Sequence, residues 1–132
     1  MNSPVVTVNS VSIQAGTTLF IPSGPIGNHL FVVIDIKTIG GKQQALLASF
    51  ETVVAKCDMS CVLSAGDHSF VQHPTFVGYS HCREDDIVDV EAHVKTGYFK
   101  VGVPVSAAVL AKVKTGYKNS NRVKRYIRAN WG

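Results

Sequence analysis

The stretch from Cys57 to Arg83 reads CDMSCVLSAGDHSFVQHPTFVGYSHCR and holds all three cysteines and three of the five histidines in the chain. Histidine titrates near neutrality, so an imidazole can take a proton from one oxygen and return it to another. RNA can be cut in this way without a metal. One group removes the 2′-hydroxyl proton, a second protonates the leaving oxygen, and a cation stabilises the charge on phosphorus. His29, His68, His73 and Arg83 are of the right types, with hydroxyls at Ser23, Ser69, Thr75 and Tyr79 to assist. Each also has a plainer use. His68 can hydrogen-bond its own Gly66-Asp67-His68 turn, Asp67 can accept backbone N–H groups there, and His73 can simply precede Pro74.

Cysteine and histidine also ligate zinc. Here Cys57 and Cys61 are separated by three residues, no C-x-x-C occurs, and His81 adjoins Cys82, so the two alternate across a strand. Spacing makes zinc the weaker reading of this stretch, with Cys61 a small core residue beside Val62 and Leu63. No metal and no cofactor is expected. The chain has no GxxxxGK[ST] or GxGxxG phosphate loop and no GxSxG nucleophile turn, which argues against nucleotide-binding and serine-hydrolase classes.

The elements that must position these groups follow from composition. With 132 residues, 45% hydrophobic and 17% charged, the chain suits one domain with a real core and not a disordered segment. The net charge is +4. It is unevenly spread: Lys112, Lys114, Lys118, Arg122, Lys124, Arg125 and Arg128 have no acid among them, whereas Glu84, Asp85, Asp86, Asp89 and Glu91 fall together. That pattern predicts two faces of opposite sign, the basic one suited to RNA phosphates with Tyr117, Tyr126 and Trp131 for stacking. The odd cysteine count and an N-terminal MNSPVVTVNSV that lacks the basic and apolar regions of a signal peptide lead to a reduced, cytoplasmic setting as the expectation. No apolar run reaches membrane-spanning length, so no membrane partner is expected.

Alternating β-branched residues predict a strand over Val5 to Ile13, and a second over Thr17 to Ile21 after an Ala15-Gly16 turn. Pro22 to Pro25 makes a loop. His29 to Lys37 is the most apolar strand and belongs at the centre of a sheet. Gly40-Gly41 is a hairpin turn that brings Ala45 to Phe50 back against it. Ile87 to His93 falls in the strand-rich part. A Lys95-Thr96-Gly97 turn and a strand over Tyr98 to Val103, stopped by Pro104, follow it. Ser106 caps a helix carrying Val109, Leu110 and Val113 and ended by Gly116. Asn119 to Arg128 forms a further helical turn or a basic tail, and Trp131 covers a core edge. The sum is a mainly β fold with a C-terminal helix, a strongly bent sheet or SH3-like barrel.

Several segments together resemble the PemK/MazF-type toxins of toxin–antitoxin modules, in particular their divergent members. Leu19-Phe20-Ile21-Pro22 leads into the His29-Leu30-Phe31-Val32-Val33-Ile34 strand, Ala45 to Thr52 looks like the strand that follows, and GDHSFVQHPTFVGY and Pro104 to Ser120 look like later segments. The resemblance implies a small SH3-like barrel, homodimerisation, an antitoxin protein as partner, and metal-independent cleavage of single-stranded RNA. Better-known members carry an Arg where His29 stands, and their catalytic Thr or Ser falls near Glu51 or Thr52. On this reading His29 and His68 are acid and base, Arg83 the phosphate clamp, and His73 and Thr52 supporting groups. The rival reading is a noncatalytic module on the same barrel that holds nucleic acid or an acidic antitoxin through Lys112 to Arg128.

Overall fold

A computed structural model describes residues 12–23 and 27–132. Most of the expected Val5 to Ile13 strand and part of the Pro22 to Pro25 loop lie outside the described residues. Ile13 is described; it is buried but not in a strand.

The chain runs β1 (Thr18–Pro22), β2 (Asn28–Ile39), β3 (Lys42–Thr52), β4 (Val62–Leu63), β5 (Thr75–Asp86), α1 (Ile87–Lys95), β6 (Lys100–Val101), α2 (Ala107–Asn119) and α3 (Arg125–Trp131). The strands form one antiparallel sheet of six, in the order β4-β5-β3-β2-β1-β6. The fold is mainly β, an open sheet with a helical C-terminal part. β2 is central, as its continuous apolar run requires. Gly40 and Gly41 both take positive φ (61° and 80°). Such a two-residue turn matches the twist of the flanking strands and sets the β2–β3 register.

Each face of the sheet has its own core. On the first face Leu30, Val32, Phe50, Val77 and Tyr79 pack under α2 and α3 through Val109, Val113, Tyr117 and Ile127. On the second, Leu19, Phe31, Val33, Ala45 and Leu47 pack under α1 through Ile87 and Val90, with Phe99 beside them. The chain passes from the second face to the first along β1. Gly102 donates to Thr18 O at 3.0 Å, Val105 to Gly16 O at 3.0 Å, and the Thr18 hydroxyl to Val103 O at 2.7 Å.

Three expectations are corrected. Ile87 to His93 is helical: Asp86 caps it by accepting the Val88 N–H at 2.9 Å, and Ile87, Val90 and Val94 share the inward stripe while Val88 faces solvent. The strand expected over Tyr98 to Val103 shrinks to Lys100–Val101 at the sheet edge. Gly116 does not end α2. It lies inside the helix and lets it approach Tyr79 and Cys61 closely, because a Cβ there would overlap the Tyr79 hydroxyl.

Three of the five clustered acids are engaged within the fold, while Asp89 and Glu91 are exposed on α1. Glu84 accepts from Asn130 Nδ2 at 3.0 Å and Trp131 Nε1 at 2.8 Å, pinning α3 to β5. Asp85 binds Arg83, and Asp86 is spent on the α1 cap. Among the described residues no helix is long and apolar enough to cross a membrane.

Candidate functional site

α1 covers only part of the second face. Beyond it, the same row of side chains that buries Ala45 and Leu47 continues as Ser49 and Glu51 on β3, and Phe31 continues to His29 on β2. Alternation forces this: from His29 to Val33 on β2 and from Ala45 to Glu51 on β3, odd-numbered residues point to this side. The result is a cavity of about 320 Å³ lined by Ser23, His29, Phe31, Ser49, Glu51 and His81.

Its polar centre is the Glu51 carboxylate. Oε2 accepts the Ser49 hydroxyl at 2.6 Å and sits 2.8 Å from His81 Nδ1. A carboxylate at Nδ1 keeps the proton there and leaves the Nε2 lone pair to face outward, since His81 is largely exposed. Gly78 makes the arrangement possible. It pairs with Ser49 across the β3–β5 ladder, and a Cβ at this position would overlap the Glu51 carboxylate. His29 supplies the facing wall, and its Nδ1 is buried with no hydrogen-bond partner among the described residues.

His81 owes its place to an irregularity. Leu47 pairs with Arg83 and Ser49 with Gly78, so β5 advances five residues where β3 advances two. The odd surplus reverses the alternation of β5. Tyr79 and Cys82, three apart, both enter the first core, while His81 and Arg83 turn to the second face. Regular alternation from the buried Tyr79 would have sent His81 inward with it.

A second cavity of about 410 Å³ adjoins the first, sharing His29 and Glu51 and extending to Thr52, Phe70 and His73. Thr52 Oγ1 and His73 Nε2 are 3.0 Å apart. Three residues singled out from sequence, His29, Thr52 and His73, thus line one depression. His68 does not join them. Its Nδ1 accepts the Phe70 N–H at 3.0 Å, so Nε2 carries the proton and donates to Val103 O at 2.5 Å. Both nitrogens are used and the ring is buried edge-on to Phe50, which corrects its expected role as acid or base. Arg83 is held by Asp85 through Nε at 2.7 Å and Nη2 at 3.1 Å, and lies over the rings of Phe31 and Phe99. It flanks the cavity behind Phe31 and is already paired, which a free phosphate clamp would not be.

The basic residues lie elsewhere. Lys112, Lys114 and Lys118 are exposed on α2, Arg122 and Lys124 on the link that follows, and Arg125 at the start of α3. All sit on the helical side. Arg128 turns inward, donating to Tyr117 O at 2.8 Å and Ser120 O at 2.6 Å. Cys61 and Cys82 are buried free thiols; burial pushes Cys61 up and Cys82 up to about 12. Among the described residues no group of three or more His, Cys, Asp or Glu is placed to hold a metal ion.

Ser49, Glu51 and His81 are the residues that sequence reasoning missed. A Ser-x-Glu pair at the end of a strand, with a glycine due opposite, was a usable signal for β3. Nothing in the local sequence signals the reversal in β5. A search against protein-family models finds no match to the chain, and a search of curated proteins finds none.

Proposed function

We propose that the His29–Glu51–His81 cavity is an acid–base site that cleaves single-stranded RNA without a metal. The supporting observation is the Glu51–His81 pair at 2.8 Å on one side of an open cavity with His29 on the other. His81 Nε2, its tautomer set by Glu51, acts as base toward a 2′-hydroxyl. His29 protonates the departing 5′-oxygen, and the 2′,3′-cyclic phosphate is the product. His81 takes the part that sequence assigned to His68, while Thr52 and His73 remain supporting groups at the rim. The same reading takes the bent sheet as an SH3-like barrel of PemK/MazF type, working in the cytoplasm as a homodimer with an antitoxin partner.

The test is incubation of the purified protein with end-labelled RNA in EDTA, with product ends identified by mass. Wild type should release cyclic phosphate ends, His81→Ala and His29→Ala should not, and a 2′-deoxy position should resist. An RNA pool left intact by the wild type rejects the reading.

A second reading, a noncatalytic module for nucleic acid or an acidic antitoxin, draws on the basic helical side. Lys112, Lys114, Lys118, Arg122, Lys124 and Arg125 are exposed, and among the described residues none forms an ion pair. Steeply salt-dependent binding without cleavage selects it.

A further inference from the structure

Of the six phenylalanines, Phe70 alone is exposed, at 49%. Leaving half of such a ring in water forgoes favourable apolar burial, and the surroundings hold it there. Its N–H is bound by His68 Nδ1, and the His68 ring is anchored in turn to Val103 O. The loop beneath is tied by Ser64 N–H to Asp67 Oδ2 at 2.8 Å, Asp67 N–H to Ser64 O at 3.0 Å and Val71 N–H to His68 O at 2.9 Å. Phe20 packs edge-to-face on the ring at 5.4 Å and fixes its plane. This is a rigid aromatic surface facing the cavity that shares His29 and Glu51 with the proposed cleavage site.

The rim says what kind of flat ligand it takes. Thr52 Oγ1 and His73 Nε2, 3.0 Å apart, form a pair able to offer both a donor and an acceptor. Asn28 adds an amide at the same cavity. A lipid chain would leave the remaining hydrogen-bonding capacity of these groups unmet, whereas a heterocycle with polar edges can use it.

We propose that Phe70 is the stacking platform for one nucleobase of a single-stranded nucleic acid, with Thr52 and His73 reading its edge. This rests on the reading of the neighbouring cavity as the place of the ribose-phosphate backbone. His68 is a positioning residue for the platform.

The test separates the two readings by measuring binding apart from cleavage. The probe is a fluorescein-labelled 2′-O-methyl RNA decamer, which lacks the 2′-hydroxyl nucleophile, followed by anisotropy, with an all-abasic decamer of equal charge as control. Phe70→Ala should weaken binding of the base-bearing probe by about 5- to 150-fold, the range expected for one stacked base. Phe70→Trp should restore it. The abasic probe should bind wild type weakly and Phe70→Ala no worse. Equal affinity of wild type and Phe70→Ala for the base-bearing probe overturns the proposal. So does an equal loss on the abasic probe, or a wild type that binds neither. Full binding by a wild type that never cuts RNA supports the platform and rejects the catalytic reading.

Discussion

Glu51 sits where it does because the residue across the ladder has no side chain. Gly78→Ala puts a methyl group into the space of the Glu51 carboxylate, so the carboxylate must swing away from His81. The expected outcome is a fall in RNA cleavage of about 10²-fold, the cost of small misplacements at a reacting centre. The His81 ring resonances should change as well, measured by NMR on the same variant. An unchanged cleavage rate would mean that the pairing of Glu51 with His81 is incidental. A second expectation concerns the thiols. Burial raises Cys61 and takes Cys82 to about 12, so neither forms a thiolate near neutrality, whereas Cys57 is half-buried near the surface. Iodoacetamide at pH 8 should add one group per native chain, at Cys57, and reach all three cysteines only in denaturant; peptide mapping checks this. At this scale the sequence was partly legible. Histidines announce themselves, yet type alone did not separate His68, spent on a loop, from His81, presented to a cavity. That difference lies in which atoms the fold brings to each ring.

Among the elements, α2 is placed by its glycine. A Cβ on Gly116 would overlap the Tyr79 hydroxyl and lie 3.0 Å from Ser60 O, and that hydroxyl donates to Val113 O at 2.5 Å. Gly116→Ala should therefore cost about 1–3 kcal/mol in urea unfolding through overpacking, although alanine is by about 1 kcal/mol the better helix former. Stabilisation would show that α2 can shift outward freely. The strands were legible because β-branched runs and the Gly40-Gly41 turn point to the same hairpin, and α2 because Ser106 is a cap followed by valines at helical spacing. α1 was not. Ile-Val-Asp-Val has the composition of a strand, and only the Asp86 cap and the docking of Ile87 and Val90 on Ala45 and Leu47 decide for helix. Tertiary burial overrides local preference here.

Across the whole molecule, the segment after β3 is fastened to the end of α2 through Asp58. Its carboxylate accepts the Ser120 hydroxyl at 2.6 Å and the Ser60 hydroxyl and N–H at 2.6 and 2.9 Å. Burial by itself raises this carboxyl, but those bonds and nearby Arg122 outweigh it and hold it below its usual 3.8. A carboxyl lowered on folding stabilises the native state above the unfolded pKa, and the gain drains away as pH falls through the folded pKa. The melting temperature should hold between about pH 7 and 5 and drop below about pH 4. Asp58→Asn should melt lower at neutral pH and lose less on acidification; calorimetry across pH decides. The division of charge was visible in sequence, but its meaning was not. Glu84, Asp85 and Asp86 are engaged by α3, an arginine and a cap, while Asp89 and Glu91 on α1 and the basic residues of the helical side stay open to solvent.

The five-against-two pairing of β5 and β3 also makes length a constrained quantity. Between Tyr79 and Cys82 the chain works as a reading frame. Removing or adding one residue there would exchange the sides taken by everything that follows, sending Arg83 toward the core and Cys82 toward the cavity. A substitution in this stretch alters one side chain, but an insertion or deletion rewrites a face. Changes of chain length should therefore be refused here, whichever residues are involved.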